Sequence, residues 1–420
     1  MDKIAIIGAG ISGLSAAQLL SEHADITIFE KDSQSGGLIK CIRVEDNLYH
    51  IVGGHVFNSK NKKVLDWFWS FFNKEQDFTS TIRNTVINLL NFVKYPIENN
   101  IYQLSEDQVK NILKDLLSIS KIPSETFENF EEFLLKRFGK TLYELYFKPY
   151  NEKIWKQDLN KIPLSWLEGK LPMPTVEEIL LNNIFRKEEK EMVHSSFFYP
   201  KINGSQFIAD RLSKELNIKY NTPISSIRYI ADTRSWIIDN EKFDFVIYTG
   251  NIKDLKTKID TQLNLKNIFN AISDLEFHGT TSVLCKIDPN PYSWIYLPNK
   301  NCDAHRIICT GNFSATNNSQ GITTATVEFT DHVDKNKIVD NLKLLPFSPQ
   351  YITHRYTEYT YPIQSVDTRK VIDSFKRKLE SQQFFLLGRF AEWEYYNMDT
   401  AIGAAMSLSE KIINLIKGNS

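Results

Sequence analysis

Cysteine is scarce in this 420-residue chain, which carries only Cys41, Cys285, Cys302 and Cys309. None forms a CxxC pair and none stands at metal-like spacing from a histidine. Structural zinc is therefore not expected, and free thiols in a reducing compartment are. Long apolar runs are missing as well. No stretch reaches the ~18 residues that a bilayer span requires. Met1-Asp2-Lys3 leads at once into a short strand-like run that flows into a glycine-rich turn, unlike a secretory signal. A cytoplasmic protein without a membrane span is the expectation. Excess charge is the third absence: 50 Lys and Arg stand against 51 Asp and Glu, for a net charge of −1. A general nucleic-acid or membrane-surface binder is normally basic, so neither partner is expected. What the chain has in quantity is aromatic side chains, 27 Phe, 18 Tyr and 7 Trp. These fill cores, and they also build flat walls for ring-shaped ligands. Hydrophobic residues at 42% and charged residues at 24% are ordinary for a globular protein. The length suggests about two or three domains.

The first chemical signal is at the start. Lys3-Ile4-Ala5-Ile6-Ile7 reads as a buried parallel strand and runs into Gly8-Ala9-Gly10-Ile11-Ser12-Gly13, a G-x-G-x-x-G. A helical pattern follows over 14–20, then a second strand over 25–29 that closes on Glu30. Each glycine has a mechanical reason. Gly8 permits the tight turn, Gly10 lets backbone approach a pyrophosphate, and Gly13 lets the helix pack closely on the sheet. The helix N-terminus attracts phosphate, and Glu30 can accept from ribose hydroxyls. The extension Lys31-Asp32-Ser33-Gln34-Ser35-Gly36-Gly37-Leu38 resembles the E-x(5)-GG segment of glutathione-reductase-like and amine-oxidase-like FAD families. Asp244-Phe245-Val246-Ile247-Tyr248-Thr249-Gly250 resembles their late strand, and Gly388-Arg389 resembles the start of their C-terminal flavin loop before a last helix over 399–417. No second G-x-G-x-x-G occurs, which argues against a separate NAD(P) domain.

Residues 60–195 read as mainly helical, with apolar residues at three- and four-residue spacing over 64–72, 106–118 and 127–138. Pro123 and Ser124 mark a helix start and Gly139 a stop. The charge run 185–191 reads as a solvated face. From 251 to 372, β-rich runs over 282–287, 294–297, 307–310 and 323–329 predict an antiparallel sheet. The expected fold class is α/β: a discontinuous Rossmann-type FAD-binding domain (1–70, 196–250 and 375–420), a helical substrate-cleft insert (71–195) and an antiparallel β-sheet insert (251–374).

A more specific resemblance extends over nearly the whole chain. Gly53-Gly54-His55-Val56-Phe57, Tyr95-Pro96-Ile97-Glu98-Asn99-Asn100-Ile101, Lys148-Pro149-Tyr150-Asn151-Glu152-Lys153-Ile154-Trp155, Trp166-Leu167-Glu168-Gly169-Lys170, Trp294-Ile295-Tyr296-Leu297-Pro298 and Trp393-Glu394-Tyr395-Tyr396-Asn397-Met398-Asp399 are similar to motifs of the UDP-galactopyranose mutase family, leaning to its eukaryotic-type branch. The resemblance implies an isomerase with no net redox change. Reduced FAD attacks the anomeric carbon through N5, UDP leaves, and the sugar recloses in the other ring form. It also implies an enzyme of cell-surface polysaccharide precursor synthesis that takes UDP-galactose or a related nucleotide sugar. An external reductant such as NAD(P)H and a homo-oligomer are both compatible with it.

Carried onto this chain, the family's roles give three sets of residues. Arg306 takes a diphosphate arginine's position, Tyr296, Tyr361 and Tyr395 take those of phosphate-directed tyrosines, and Lys170 replaces a family arginine. Lys keeps the charge but loses the bidentate fork. A fourth tyrosine position falls on Phe313, so one hydroxyl is expected to be missing. Tyr95, Glu98, Tyr146, Asn151 and Trp155 are the candidates for base and ribose, with His194 near a substrate-reaching amide. Glu98 stands where a Gln is common, and a carboxylate cannot donate, so the base is left open. The expected flavin contacts are Gly8, Gly10, Ile11, Ser12, Gly13, Glu30, Lys31, Gly37, Leu38, Gly53, Gly54, Gly388, Arg389, Asn397 and Met398, with His55 following the mobile glycine pair. No metal ligand is expected. Two other readings stay open: an FAD-dependent amine oxidase or protoporphyrinogen-oxidase-like oxidoreductase, and a non-catalytic flavin- or nucleotide-sugar-binding protein.

Overall fold

A computed structural model describes residues 1–120, 126–164, 174–188 and 195–418. Pro123, Ser124, the run 166–170, the end of the charge run and His194 lie outside the described residues. The fold is mixed α/β. Its first layer is a five-stranded parallel sheet in the order Phe384–Leu386, Phe245–Tyr248, Lys3–Ile7, Asp25–Phe29, Ile218–Lys219. Side chains alternate across it with period two. Ile4, Ile6, Ile26 and Ile28 pack with the helices Ile11–Leu20 and Met398–Gly418. Ala5, Phe29, Val246, Tyr248 and Phe384 face the other way, onto Trp236 of a small four-stranded sheet and Ile372 and Phe375 of the helix Thr368–Glu380. The strands Lys3–Ile7 and Asp25–Phe29 come from one strand–helix–strand stretch, and the other three are contributed by distant parts of the chain.

The second layer is a seven-stranded sheet in the order Gln350–Pro362, Phe277–Lys286, Thr324–Thr330, Arg306–Ile308, Trp294–Tyr296, Thr85–Asn88, Phe92–Lys94. Four of these strands match the β-rich runs read from sequence. The 13-residue strand Gln350–Pro362 has no such warning: its Tyr-Thr-rich run carries few aliphatics. The stretch 71–195 also does more than form helices. It sends Thr85–Asn88 and Phe92–Lys94 into this sheet, and Phe78–Ile82 pairs with Ser196–Pro200. Its helices Glu106–Ile119, Phe130–Leu142 and Lys148–Trp155 enclose an aromatic core of their own. Gly139 sits at φ +84° as a kink inside the second of them, where a stop is expected. No helix of the described residues is long and apolar enough to cross a membrane.

Register in the large sheet decides what faces the first layer. Tyr296 pairs with Arg306, Arg306 with Glu328, Glu328 with Ser282, and Trp294 with Thr85. Partners across a ladder point to the same face. Arg83, two residues before Thr85, joins that face, and Trp294, Tyr296, Arg306 and Arg83 all line one cleft.

Candidate functional site

A single cleft of about 1120 Å3 lies between the two layers and continues along the start of the parallel sheet. One end is a glycine cradle. Gly8 (φ +108°) turns the chain out of the first strand, and its amide donates to the Phe29 carbonyl at 2.8 Å. Gly10 bridges to Gly36, and a Cβ on Gly37 would lie 3.2 Å from Gly10 Cα. The helix Ile11–Leu20 starts here with no side chain capping its N-terminus, so its first amides face the cleft rather than a serine or aspartate. Glu30 is buried at the end of the second strand. Its two oxygens accept the amides of Ala9 (2.7 Å) and Asp32 (3.0 Å), which orients the carboxylate at the cleft wall.

The middle is lined by Gly53, Gly54 and His55. Gly53 has φ +63°, and a Cβ on Gly54 would press to 2.6 Å from Ile308 Cγ2, so this loop needs both glycines to lie against the sheet. His55 Nε2 is enclosed and has no hydrogen-bond partner, and the same holds for Arg389 Nε. Burial first, and then the neighbouring Arg389, push the His55 imidazole down to about 4, so it is neutral at ordinary pH. A glycine cradle, an uncapped helix start, a buried acidic residue and orphaned polar atoms beside the loop together fit a dinucleotide carrying a polar ring system. Ile11, Ser12, Lys31, Leu38, Asn397 and Met398 line the same cleft. Gly13 and Gly388 serve from behind the wall. A Cβ at Gly13 would sit 2.1 Å from the Gly8 carbonyl, and one at Gly388 would sit 2.7 Å from Ser12 Oγ.

The other end carries cations and phenols. Arg306 donates to Glu328 through Nε and to Tyr361 OH through Nη2 at 3.1 Å. Burial would raise the Glu328 carboxyl, but Arg306 and His305 outweigh it and hold it at about 2. Tyr361 stacks on Tyr395 at 5.7 Å, and the Arg389 guanidinium lies 4.1 Å from the Tyr395 ring centroid. Tyr296 meets Tyr95 edge-on at 5.1 Å. Five of the six expected reacting-end residues therefore share one wall: His55, Tyr296, Arg306, Tyr361 and Tyr395. The sixth, Lys170, is outside the described residues.

The expected base-binding set is less coherent. Tyr95 is on the cleft wall. Tyr146 is buried in the helical core and stacks on Tyr150 at 5.3 Å, and Asn151 ties back to the Phe147 carbonyl at 2.7 Å. Trp155 lines a separate, water-sized cavity behind Tyr395, and Glu98 is buried in the turn Ile97–Asn99. These residues brace the wall rather than form it, because the amphipathic helix Lys148–Trp155 turns its aromatic face toward its own domain. Phe313 needs a firmer correction. It is packed among Phe197, Tyr199 and Trp294, with its ring edge 3.3 Å from where a Gly54 Cβ would be. It backs the glycine loop and is not part of the cleft lining.

Nothing in the local sequence marks Arg83 or Glu328. Arg83 is isolated before an ordinary strand, and Glu328 reads as one polar residue of a strand. Only cross-strand register brings them to Tyr296 and Arg306, and alternation along the strands is the one signal that could have found them. Among the described residues no group of three or more His, Cys, Asp or Glu could hold a metal ion.

Buried histidines are expected to make the fold less stable in acid. His50 is enclosed, with Nδ1 3.4 Å from Cys41 Sγ and Nε2 2.7 Å from Tyr199 OH, and burial pushes it down to about 3. An unfolded histidine titrates near 6.5. As pH falls from about 6.5 toward these folded values, the unfolded chain binds more protons than the folded one, so stability falls with it. The melting temperature is expected to drop through this window and His50→Gln to flatten the drop. An identical slope in the variant would remove His50 as the cause.

Residues 6–72 match the model of a family described as an NAD(P)-binding Rossmann-like domain. Two curated relatives are similar over longer stretches. A Klebsiella pneumoniae protein named as a probable UDP-galactopyranose mutase is 27% identical over 182 residues, 41% of this chain and 45% of that protein. An Escherichia coli dTDP-fucopyranose mutase is 25% identical over 263 residues, 60% of this chain and 64% of that protein. The matches thus span about half to two thirds of these relatives' lengths. The crystal structure of a reduced UDP-galactopyranose mutase has the same fold, with a TM-score of 0.88 at 22% identity, covering 99% of this chain and 94% of that one.

Proposed function

We propose that this chain is a flavin-dependent isomerase that interconverts the pyranose and furanose forms of a nucleotide sugar. The observation that carries the reading is continuity: one cleft runs from the glycine cradle, past the Gly53–His55 loop, to a wall of arginines and tyrosine hydroxyls. The cleft extends well beyond Glu30 to a second polar wall, which leaves room for a bound dinucleotide and a second ligand, and the mutase relatives favour FAD as that dinucleotide. When bound and reduced, the flavin supplies the nucleophile for the anomeric carbon through N5.

The chain's own residues do the rest. Negative charge grows on the leaving diphosphate, and Arg306 with the hydroxyls of Tyr296 and Tyr361 is set to hold it. The diphosphate has to stay while the sugar changes ring form, so these groups work as a clamp as much as an electrostatic aid. His55, neutral above about pH 4, offers an uncharged imidazole beside the loop. Tyr395 and Arg389, packed together at 4.1 Å, form part of the cleft wall beside the Gly53–His55 loop. Tyr95 is the aromatic in place to stack on a base.

The two curated relatives are named for different bases and different sugars, so the test uses both substrate types. Holoenzyme reduced with dithionite is expected to convert UDP-galactofuranose or dTDP-fucofuranose to the pyranose form, read by chromatography, while oxidised enzyme converts neither. If the reduced enzyme leaves both untouched, the reading is wrong. An amine oxidase would need to welcome a protonated amine, and a wall carrying the Arg83 and Arg389 guanidinium groups disfavours one. Oxygen consumption with amines separates the two, since an isomerase consumes none in net turnover. NAD(P)H is a candidate reductant in place of dithionite.

A further inference from the structure

Two arginines enter the cleft from the same face of the seven-stranded sheet, and their surroundings differ. The charge of Arg306 is matched by the buried Glu328 carboxylate. Arg83 has no carboxylate in contact among the described residues. Its Nε donates to Thr85 Oγ1 at 2.8 Å and its Nη2 to Tyr296 OH at 2.5 Å. Its guanidinium lies 5.2 Å from the Tyr95 ring centroid and 5.1 Å from that of Trp294. Half-buried between two aromatic faces, with only neutral acceptors, it keeps its whole charge at the cleft wall. A partly desolvated charge without a counter-ion is costly, and an anion in the cleft offsets that cost.

The hydroxyls sharpen the point. A phenol has one proton to donate and two lone pairs. Arg83 occupies a lone pair of Tyr296, so the Tyr296 proton is left to donate elsewhere. Arg306 does the same to Tyr361 at 3.1 Å. Tyr296 and Arg306 are direct cross-strand partners, so the two arginine–tyrosine pairs are neighbours. Each presents to the same cleft an O–H donor polarised by an adjacent cation.

We propose that Arg83 is a diphosphate-binding residue: it primes Tyr296 as Arg306 primes Tyr361, and it supplies the net positive charge that Arg306, neutralised by Glu328, does not. This rests on the nucleotide-sugar reading. Binding to oxidised holoenzyme tests it without any need for turnover. UDP and dTDP are titrated by calorimetry beside uridine and thymidine, at low and high salt, on wild type, Arg83→Gln, Arg83→Lys, Tyr296→Phe and the Arg83→Gln/Tyr296→Phe double variant. Flavin absorbance reports that each protein is folded. Arg83→Gln is expected to weaken the diphosphates about ten- to hundredfold, to leave the nucleosides unchanged, and to reduce the salt dependence. Arg83→Lys should fall between, and the double variant should lose less than the product of the two single losses. Unchanged diphosphate affinity, or an equal loss for diphosphates and nucleosides, would overturn the assignment. If Arg83→Gln fails to retain flavin, Arg83→Lys decides by the same comparison. A wild type that binds neither diphosphate would instead bring down the nucleotide-sugar reading itself.

Discussion

Arg306→Ala is expected to abolish turnover and to cost the fold about 3–5 kcal/mol, the usual penalty for removing one partner of a buried ion pair. The activity loss follows from the diphosphate clamp proposed above. The stability loss has a different origin. Glu328 is only 1% exposed and one of its oxygens already has no partner, so without Arg306 the carboxylate keeps just His305 beside it, 3.5 Å away. The two effects can be separated. Adding Glu328→Gln to Arg306→Ala removes the stranded charge, so the double variant should recover most of the stability in urea unfolding and none of the turnover. If the double variant is as unstable as the single one, the penalty comes from lost packing of the arginine stem and not from the buried charge. Flavin retention in both variants would confirm that the cofactor end of the cleft is independent of this pair.

The second large effect separates two glycines that look alike in the fingerprint. Gly13→Ala is expected to prevent folding around the first strand, because the new Cβ of this buried residue would lie 2.1 Å from the Gly8 carbonyl oxygen, a backbone atom that cannot swing aside. Gly10→Ala meets nothing closer than Gly37 Cα at 3.9 Å, an ordinary contact. That variant should therefore fold with near wild-type stability and yet lose flavin, since the added methyl occupies the space a pyrophosphate needs. Flavin content after purification, together with melting temperature, distinguishes the outcomes. A Gly10→Ala protein that holds flavin normally would mean that the cofactor's phosphates do not approach Gly10.

The reach of the primary sequence followed the range of the interactions involved. The nucleotide cradle was legible because strand, turn, helix start and acidic residue are consecutive, and each glycine has a local backbone reason that no distant residue can supply. The loop at Gly53 and the C-terminal segment after Gly388 were legible through resemblance, and the cleft does receive His55, Arg389, Asn397 and Met398. Phe313, Tyr146 and Trp155 lie outside the cleft lining for one shared reason. A motif says that an aromatic is required, not which face of its element meets ligand and which meets core. Trp155, Tyr146 and Phe313 turned inward because their own neighbours offered more apolar surface than the cleft did.

Taken alone, the sequence carried the glycine cradle and the mixed α/β class, and its resemblance picked out Arg306, Tyr296, Tyr361 and Tyr395, which the fold brings to one cleft. The charge balance of the cleft was decided only in three dimensions. Glu328 neutralises Arg306 from the neighbouring strand while Arg83, more than 200 residues earlier in the chain and just before the strand Thr85–Asn88, stays uncompensated. Their proximity is a matter of sheet register: strand partners are chosen by which apolar faces can be buried together, and a shift of one residue would turn all of them away from the cleft.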